Sequence, residues 1–427
     1  MYRKRLPSLL NCLVIFGRYP IPGKVKTRLV SSLGPVRSAY LQKCLTENLI
    51  KEARAISNIT DIVFFYNGGN KYLFEKWLGK DIIFVPQKGV NLGDKMKDAI
   101  SRAKNMGYKK VVLIGTDVPH VKSIYIKEAF CRLDHYDVVI GPSDDGGYWL
   151  LGMREIFDIF DGIDWGTEKV LYQTLERLRN KKITYSLLKE LIDIDTPEDI
   201  KKTGIHHIPP YISVIIPTLN EAGNIKNAIE NAKSQDVEII VVDGGSTDNT
   251  EKIAINCGVK IIKTCRGRAF QQNAGAEVAK GIILLFLHAD TILPSNYSFD
   301  VFNISVDPSF IMGAFLFKTD MNHPFMKLIE LIANIRARLL RLPYGDQVLF
   351  VKRDFFKKIG GFPETSFAED LYFMHRISKM GKIQLIPKYA ITSSRKWKNY
   401  GIIKTTYLHW YILLSFALDR IKKEVLL

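Results

Sequence analysis

No Cys-x-x-Cys pair occurs among the five cysteines, Cys12, Cys44, Cys131, Cys257 and Cys265. An odd, scattered set excludes a disulfide framework and a thiolate zinc site, and it suits a reducing compartment. No apolar run reaches the roughly 20 residues that a spanning helix needs. The most hydrophobic late stretch, Tyr407–Leu418, is short and carries His409. The opening Met1-Tyr-Arg-Lys-Arg before LPSLLNCLVIF imitates a signal peptide but is followed by no small-residue cleavage site. A basic tail is also missing. The net charge of +17 divides into 33 basic against 24 acidic side chains in residues 1–207, and 28 against 20 in 208–427. An evenly basic chain can meet phosphate, nucleic acid or an anionic membrane. Helix-turn-helix, RNA-recognition and zinc-finger signatures are absent, so no specific nucleic-acid partner is expected.

What is present is a chain of 427 residues, 47% hydrophobic and 25% charged. That is material for two or three cores rather than one, and it excludes disorder. Short apolar runs alternate with amphipathic stretches. In the first half they are Leu13–Phe16, Asp61–Tyr66, Ile82–Val85, Val111–Ile114 and Val138–Ile140; in the second, Ile212–Ile216, Glu238–Val242, Lys260–Ile262 and Ile282–Leu287. Continuous apolar strands between helices predict an α/β fold with mostly parallel sheets covered on both faces. Asp195-Thr-Pro-Glu-Asp-Ile opens a short helix with Pro197 at a favoured early position and Gly204 at its end. His206-His-Ile-Pro-Pro is then a stiff connector. The expectation is two domains, 1–207 and 208–427, of related architecture. In each, a strand runs to an aspartate, Asp117 in VVLIGTD and Asp290 in ILLFLHAD.

In the second half, Ile215-Ile-Pro-Thr-Leu-Asn-Glu releases polar side chains where a strand stops at Pro217. Glu238–Val242 delivers Asp243 into a Gly-Gly-Ser-Thr-Asp turn. Ligands of open parallel sheets bind at such strand ends. A carboxylate there suits a base or ribose, and Asp290 with His288 suits a divalent ion on a diphosphate. Each signal alone has an ordinary reading: a strand-end Asp is a turn former, Glu369-Asp370 an acidic helix start, and His288 a packed core residue.

Together and in this order, these residues resemble the family 2 glycosyltransferases, whose catalytic domain has the GT-A fold. The resemblance covers almost all of 212–419 and rests on Pro217–Glu221, Val242–Asp248, His288–Asp290, Gly345-Asp-Gln347, Gly360–Pro363, Glu369-Asp370 and Ser394-Arg-Lys-Trp397. The run Gly267–Gly275 is closer still to the subgroup labelled arsenosugar-biosynthesis glycosyltransferases. The resemblance implies an inverting transfer of a sugar from a nucleoside diphosphate donor to a hydroxyl. Asp370, next to Glu369, would serve as general base. Pro217, Asn220, Glu221, Asp243, Ser246, Asp248, Arg266, Arg268, Asn273, Gln347, Arg395 and Trp397 would hold the donor. Asp290 and His288 would hold manganese or magnesium, with histidine standing where the family has its first metal-binding aspartate; imidazole suits manganese better than magnesium.

The first half presents Arg18, Gly23, Lys24, Lys26 and Arg28 in a Pro/Gly loop leading to a helix expected to begin near Val25. Glycine admits an anion to the backbone amides and the cations neutralise it. It is not a Walker A loop. Gly115-Thr-Asp-Val-Pro119, Asp145 within Asp-Gly-Gly-Tyr148, and Asp193-Ile-Asp-Thr-Pro197 follow. Asp117 and Asp195, if convergent, would make the carboxylate pair of nucleotidyl transfer. Residues 11–202 resemble an uncharacterised glycosyltransferase-like family related to guanylyltransferases. The resemblance implies a second GT-A-like domain, a nucleotidyltransferase or, alternatively, a non-catalytic binding module. The acceptor implied is a small molecule or a lipid. The expected location is the cytoplasm, with peripheral membrane contact through the aromatic and basic segment 404–423.

Overall fold

A computed structural model describes residues 9–205, 207–364, 369–378, 380–381, 383–408 and 411. The chain divides into two compact units, Met1–Ile208 and Pro209–Leu427. Of the expected connector, His206 lies outside the described residues, as does most of 404–423. The helix before the connector forms as its residues dictate. Pro197 opens it, Asp199 Oδ2 accepts from Thr196 N at 2.7 Å, and Thr196 Oγ1 accepts from Asp199 N at 3.4 Å. This reciprocal capping box satisfies two helix-end amides.

In the first unit the strands are β1 (Asn11–Arg18), β2 (Asp61–Asn67), β3 (Ile83–Pro86), β4 (Lys110–Gly115), β5 (Val138–Pro142), β6 (Tyr148–Met153) and β7 (Tyr185–Leu187). They form one sheet in the order β3-β2-β1-β4-β6-β5-β7. β1, β2, β3 and β4 are parallel, and only β6 runs against its neighbours β4 and β5. Cys12–Ile15 of β1 are fully buried, as a central strand covered on both faces requires. Val14, Phe65, Val111, Ile140 and Leu151 join one core under the helix Leu92–Asn105.

The second unit begins with β8 (Ile212–Thr218), β9 (Val237–Asp243), β10 (Lys260–Lys263) and β11 (Ile283–Phe286), followed by β12 (Thr291–Ile292), β13 (Met312–Thr319), β14 (Phe350–Lys352) and β15 (Ile383–Thr392). Their order is β10-β9-β8-β11-β14-β13-β15-β12. The expected parallel half is present, but the other half is mixed, because β14 is antiparallel to both β11 and β13. That half was missed because β14 is three residues long and β13 follows no recognisable crossover. Two tandem α/β units are thus present, each with its first strand central and the next two strands added on one side of it. This order puts the ends of β1 and β4, and of β8 and β11, beside each other.

Candidate active sites

In the first unit a cavity of about 660 Å³ opens at these strand ends, with Arg18, Lys26, Arg28, Asp117, Asp145 and Asp195 among its lining residues. Gly23 and Lys24, expected beside them, are exposed and outside its walls. The phosphate loop also ends differently from expectation. Lys26 adopts a left-handed conformation (φ 46°), and a short 3-10 turn, Thr27–Leu29, replaces a helix start at Val25. That backbone turns the lysine inward. Its side chain is 4% exposed, with Nζ 2.5 Å from Asp117 Oδ1 and 3.4 Å from Asp195 Oδ1, and it donates to Ile194 O at 2.5 Å. Burial by itself would lower the ammonium pKa, but the two carboxylates raise it above its ordinary value. Arg28 reaches Asp195 at 3.2 Å. Asp117 and Asp195 therefore do converge, with a buried lysine between them.

Asp193 also lines this cavity, and its carboxyl is pushed up to about 7 by burial, then by the charges of Asp145 and Asp195. Its Asp-x-Asp pattern was visible, but only the fold shows that both aspartates face the same space. Gln42, Gln87, Asn91 and Trp165 complete the wall without any sequence signal.

The second unit has a smaller cavity of about 220 Å³. Its walls include Pro217, Glu221, Arg268, His288, Asp290, Arg395 and Trp397. Lys396, a phosphate candidate beside Arg395, also lines it, and two further lining residues, Gln271 and Asp346, were not assigned a place there. His288 Nδ1 lies 3.1 Å from Asp346 Oδ1. Burial would raise the Asp346 carboxyl, but His288, Lys396 and Arg268 hold it well below the usual carboxylate range. Burial raises Asp290, assisted by the charges of Glu221 and Asp346 and opposed by His288 and Arg395. Arg395 Nη2 is 2.7 Å from Glu221 Oε1 and 3.9 Å from Asp290 Oδ2.

Other expected residues lie outside this wall. Asp243 is 2% exposed and accepts from Gly245 N (3.0 Å), Ser246 N (2.9 Å) and Ser246 Oγ (2.5 Å), which folds the turn after β9. Asn220, held at φ 55°, accepts from Thr247 N at 2.8 Å, and Asp248 accepts from Ala222 N at 3.1 Å. These bonds lash the loops after β8 and β9 together. Asn273 pairs twice with the backbone of Phe362, at 2.8 and 2.9 Å. Gln347 is buried and donates to Phe315 O at 3.1 Å. Its neighbour Asp346, rather than Gln347, reaches the cavity. Arg266 is exposed and outside the walls.

Glu369 is 6% exposed, with Oε1 3.6 Å from Arg268 Nη1. Asp370 opens the helix Glu369–Ser378; its Oδ2 accepts from Gly345 N and its Oδ1 from Leu371 N, both at 2.9 Å. A Cβ at Gly345 would come within 3.1 Å of His288 Nε2 and 3.4 Å of Asp370 Oδ2. Glycine at 345 thus lets the histidine, Asp346 and Asp370 crowd around one backbone turn.

The donor set fits a divalent cation. Asp290 and Asp346 face one cavity, burial raises Asp290 with further contributions from Glu221 and Asp346, and His288, in the same wall, orients Asp346 as second-shell partners of metal ligands do. Among the described residues no group of three or more His, Cys, Asp and Glu side chains gathers as a ready metal cage. Oxygens of a bound ligand would have to complete the coordination, as is usual where a metal bridges phosphates.

Residues 49–167 match the family described as "Uncharacterized protein conserved in bacteria (DUF2064)", and residues 213–358 match glycosyl transferase family 2. The chain is 27% identical over 202 residues to a 2-phospho-L-lactate guanylyltransferase of Methanocaldococcus vulcanius, covering 45% of this chain and 84% of that protein. It is 40% identical over 94 residues to a PGL/p-HBAD biosynthesis glycosyltransferase of Mycobacterium bovis, covering 20% of this chain and 37% of that protein. A solved structure from Desulfovibrio desulfuricans G20, provisionally described as a nucleotide-diphospho-sugar transferase, shares 35% identity. It covers 46% of this chain and 86% of its own, with a TM-score of 0.44. The chain joins a DUF2064 domain, akin to the guanylyltransferases, to a glycosyl transferase family 2 domain.

Proposed function

We propose that the second unit moves a sugar, with inversion, from a nucleoside diphosphate donor to an acceptor hydroxyl. The observation that carries this reading is the wall charge of the 220 Å³ cavity. Three carboxylates, Glu221, Asp290 and Asp346, stand among three cations, Arg268, Arg395 and Lys396. A diphosphate entering so balanced a wall needs a cation to accompany it. Asp290 and Asp346 would hold manganese or magnesium, which would neutralise the leaving diphosphate where charge develops. Arg268, Arg395 and Lys396 contact phosphate oxygens, Arg through its planar fork. The loops lashed by Asp243, Ser246, Asn220 and Asp248 seat the nucleoside. Asp370 takes the acceptor proton as general base, and Glu369 holds Arg268 in place.

Incubating the full chain with labelled nucleotide sugars and manganese tests this, with Asp290→Asn as control. Donor turnover that the variant retains in full would remove the assignment. Donor identity would follow from which nucleotide sugar raises the melting temperature.

The first unit is read as a nucleotide site in the 660 Å³ cavity. One observation favours a binding module over a nucleotidyltransferase: Lys26 already fills the gap between Asp117 and Asp195. Pyrophosphate release from nucleoside triphosphates, lost in Asp117→Asn, would establish catalysis; saturable binding without release would establish the module.

A further inference from the structure

The helix Pro324–Leu339 is apolar on its outward side as well as on the side it buries. Its inward side buries Met326 and Ala337, packs Ile329 and Ala333 against the cluster of Phe317 and Trp397, and is pinned by polar side chains. Glu330 Oε1 accepts from Thr319 N and Oγ1, both at 2.7 Å. Asn334 accepts from Phe317 N at 2.8 Å and donates to Phe317 O at 2.9 Å. Outward stand Phe325, Leu328, Leu331, Ile332, Ile335 and Leu339, from 43% to 76% exposed. A helix on the surface of a water-soluble domain turns its apolar stripe to the core. An apolar patch of this size left facing outward marks an interaction surface.

The charges say what kind. Lys327 and Arg338 are exposed on the helix and Arg341 follows it, whereas its only acid, Glu330, is spent on β13. The adjoining turn of chain adds exposed Ile403, Lys404 and Tyr407; it is tied to this helix through Ile402 in a cluster with Phe317, Met326 and Trp397. A second copy bound across a two-fold axis would set these cations against themselves. Anionic phosphates beside an apolar phase satisfy both features at once.

We infer that this face is a monotopic docking surface for an anionic lipid bilayer, its apolar row entering the acyl boundary and Lys327, Arg338 and Lys404 meeting headgroup phosphates. Trp397 belongs both to the cluster beneath the helix and to the wall of the 220 Å³ cavity, so docking places that cavity next to the lipid surface. The inference stands on the helix alone and does not need the sugar-transfer reading.

The test is sedimentation of the full chain with vesicles of phosphatidylcholine, alone or mixed with phosphatidylglycerol. Wild type should partition onto the anionic vesicles about tenfold or more better than onto the neutral ones, and salt should weaken it. Leu331→Glu with Ile335→Glu should cut that partition about tenfold or more without moving the melting temperature, since both side chains are exposed. Lys327→Glu with Arg338→Glu should remove the preference for anionic lipid. Absence of wild-type binding, or binding that the Leu331/Ile335 variant retains, would overturn the proposal. So would a dimer in sedimentation velocity that this variant dissolves while vesicles remain unbound.

Discussion

The two units place carboxylates at equivalent strand ends and neutralise them in different ways. In the first, Asp117 and Asp195 share one lysine of their own chain, buried and fixed by a left-handed backbone. In the second, the described cation nearest in an ion pair to Asp290 is Arg395 at 3.9 Å, and Asp346 leans on a histidine. The first site carries its counter-charge as part of the fold. The second sets its carboxylates among Arg268, Arg395 and Lys396, cations of the cavity wall that a ligand can also contact. A buried internal ammonium stabilises a site whether or not ligand is present, whereas half-exposed wall cations can exchange a carboxylate for a bound phosphate.

The largest effect expected is at the second site. Asp370→Asn should lower sugar transfer about 10²- to 10⁴-fold, the usual contribution of a general base, while leaving donor affinity unchanged. Transfer at wild-type rate would remove the residue from the chemistry. Next, Asp346→Asn leaves His288 without its carboxylate and should weaken manganese-dependent donor binding about 10- to 100-fold, measured by calorimetry. If instead affinity is unchanged, the contrast between the sites fails.

Breaking the first site should cost stability rather than turnover. Lys26→Met leaves Asp117 and Asp195 facing each other and should destabilise the chain by about 2 kcal/mol in urea, discounted from a fully buried pair because both carboxylates are nearly half exposed. Adding Asp117→Asn to that variant should recover part of the loss. For Asp193 the sign runs the other way from a usual carboxylate. Its folded pKa, about 7, lies above the unfolded value near 4, so its ionisation opposes folding as pH rises from about 4 to 7. Asp193→Asn should therefore stabilise the chain at pH 8 and confer no advantage below pH 4, which thermal melts at the two pH values would show. The smallest effect belongs to Arg266→Ala. An exposed side chain outside the cavity should change stability by less than about 0.5 kcal/mol.

Much of this was legible in the chain. β1, β2, β4, β8 and β9 were readable because each is a short apolar run covered on both faces, and burial leaves a composition that no loop shares. The helix before the connector was readable because Pro197 and Thr196 fix its start by local bonding alone. Asp290, Arg395 and Trp397 stood out through motif order and do line one cavity. The antiparallel β6 and β14 were not readable, since strand direction leaves no trace in a three- or six-residue run. Nor was the division of labour in Gly345-Asp-Gln347: the amide of Gln347 is consumed by Phe315, and Asp346 faces the cavity, because the 3-10 turn points adjacent side chains to opposite sides.

Local rules therefore determined the strands, the helix caps and the two-unit plan, because burial and hydrogen bonding act over a few residues and mark each of them. Tertiary structure alone decided which charges meet. Lys26 lies some 170 positions from Asp195 in the chain, and Arg395 a similar distance from Glu221. Coulomb interaction depends on distance in space and on the water excluded between the charges, and neither quantity is written in sequence order. The helix Pro324–Leu339 shows the same division. Its apolar positions can be counted in the sequence, but only its packing against β13 shows which are buried, like Met326 and Ala337, and which, like Leu331 and Ile335, face outward.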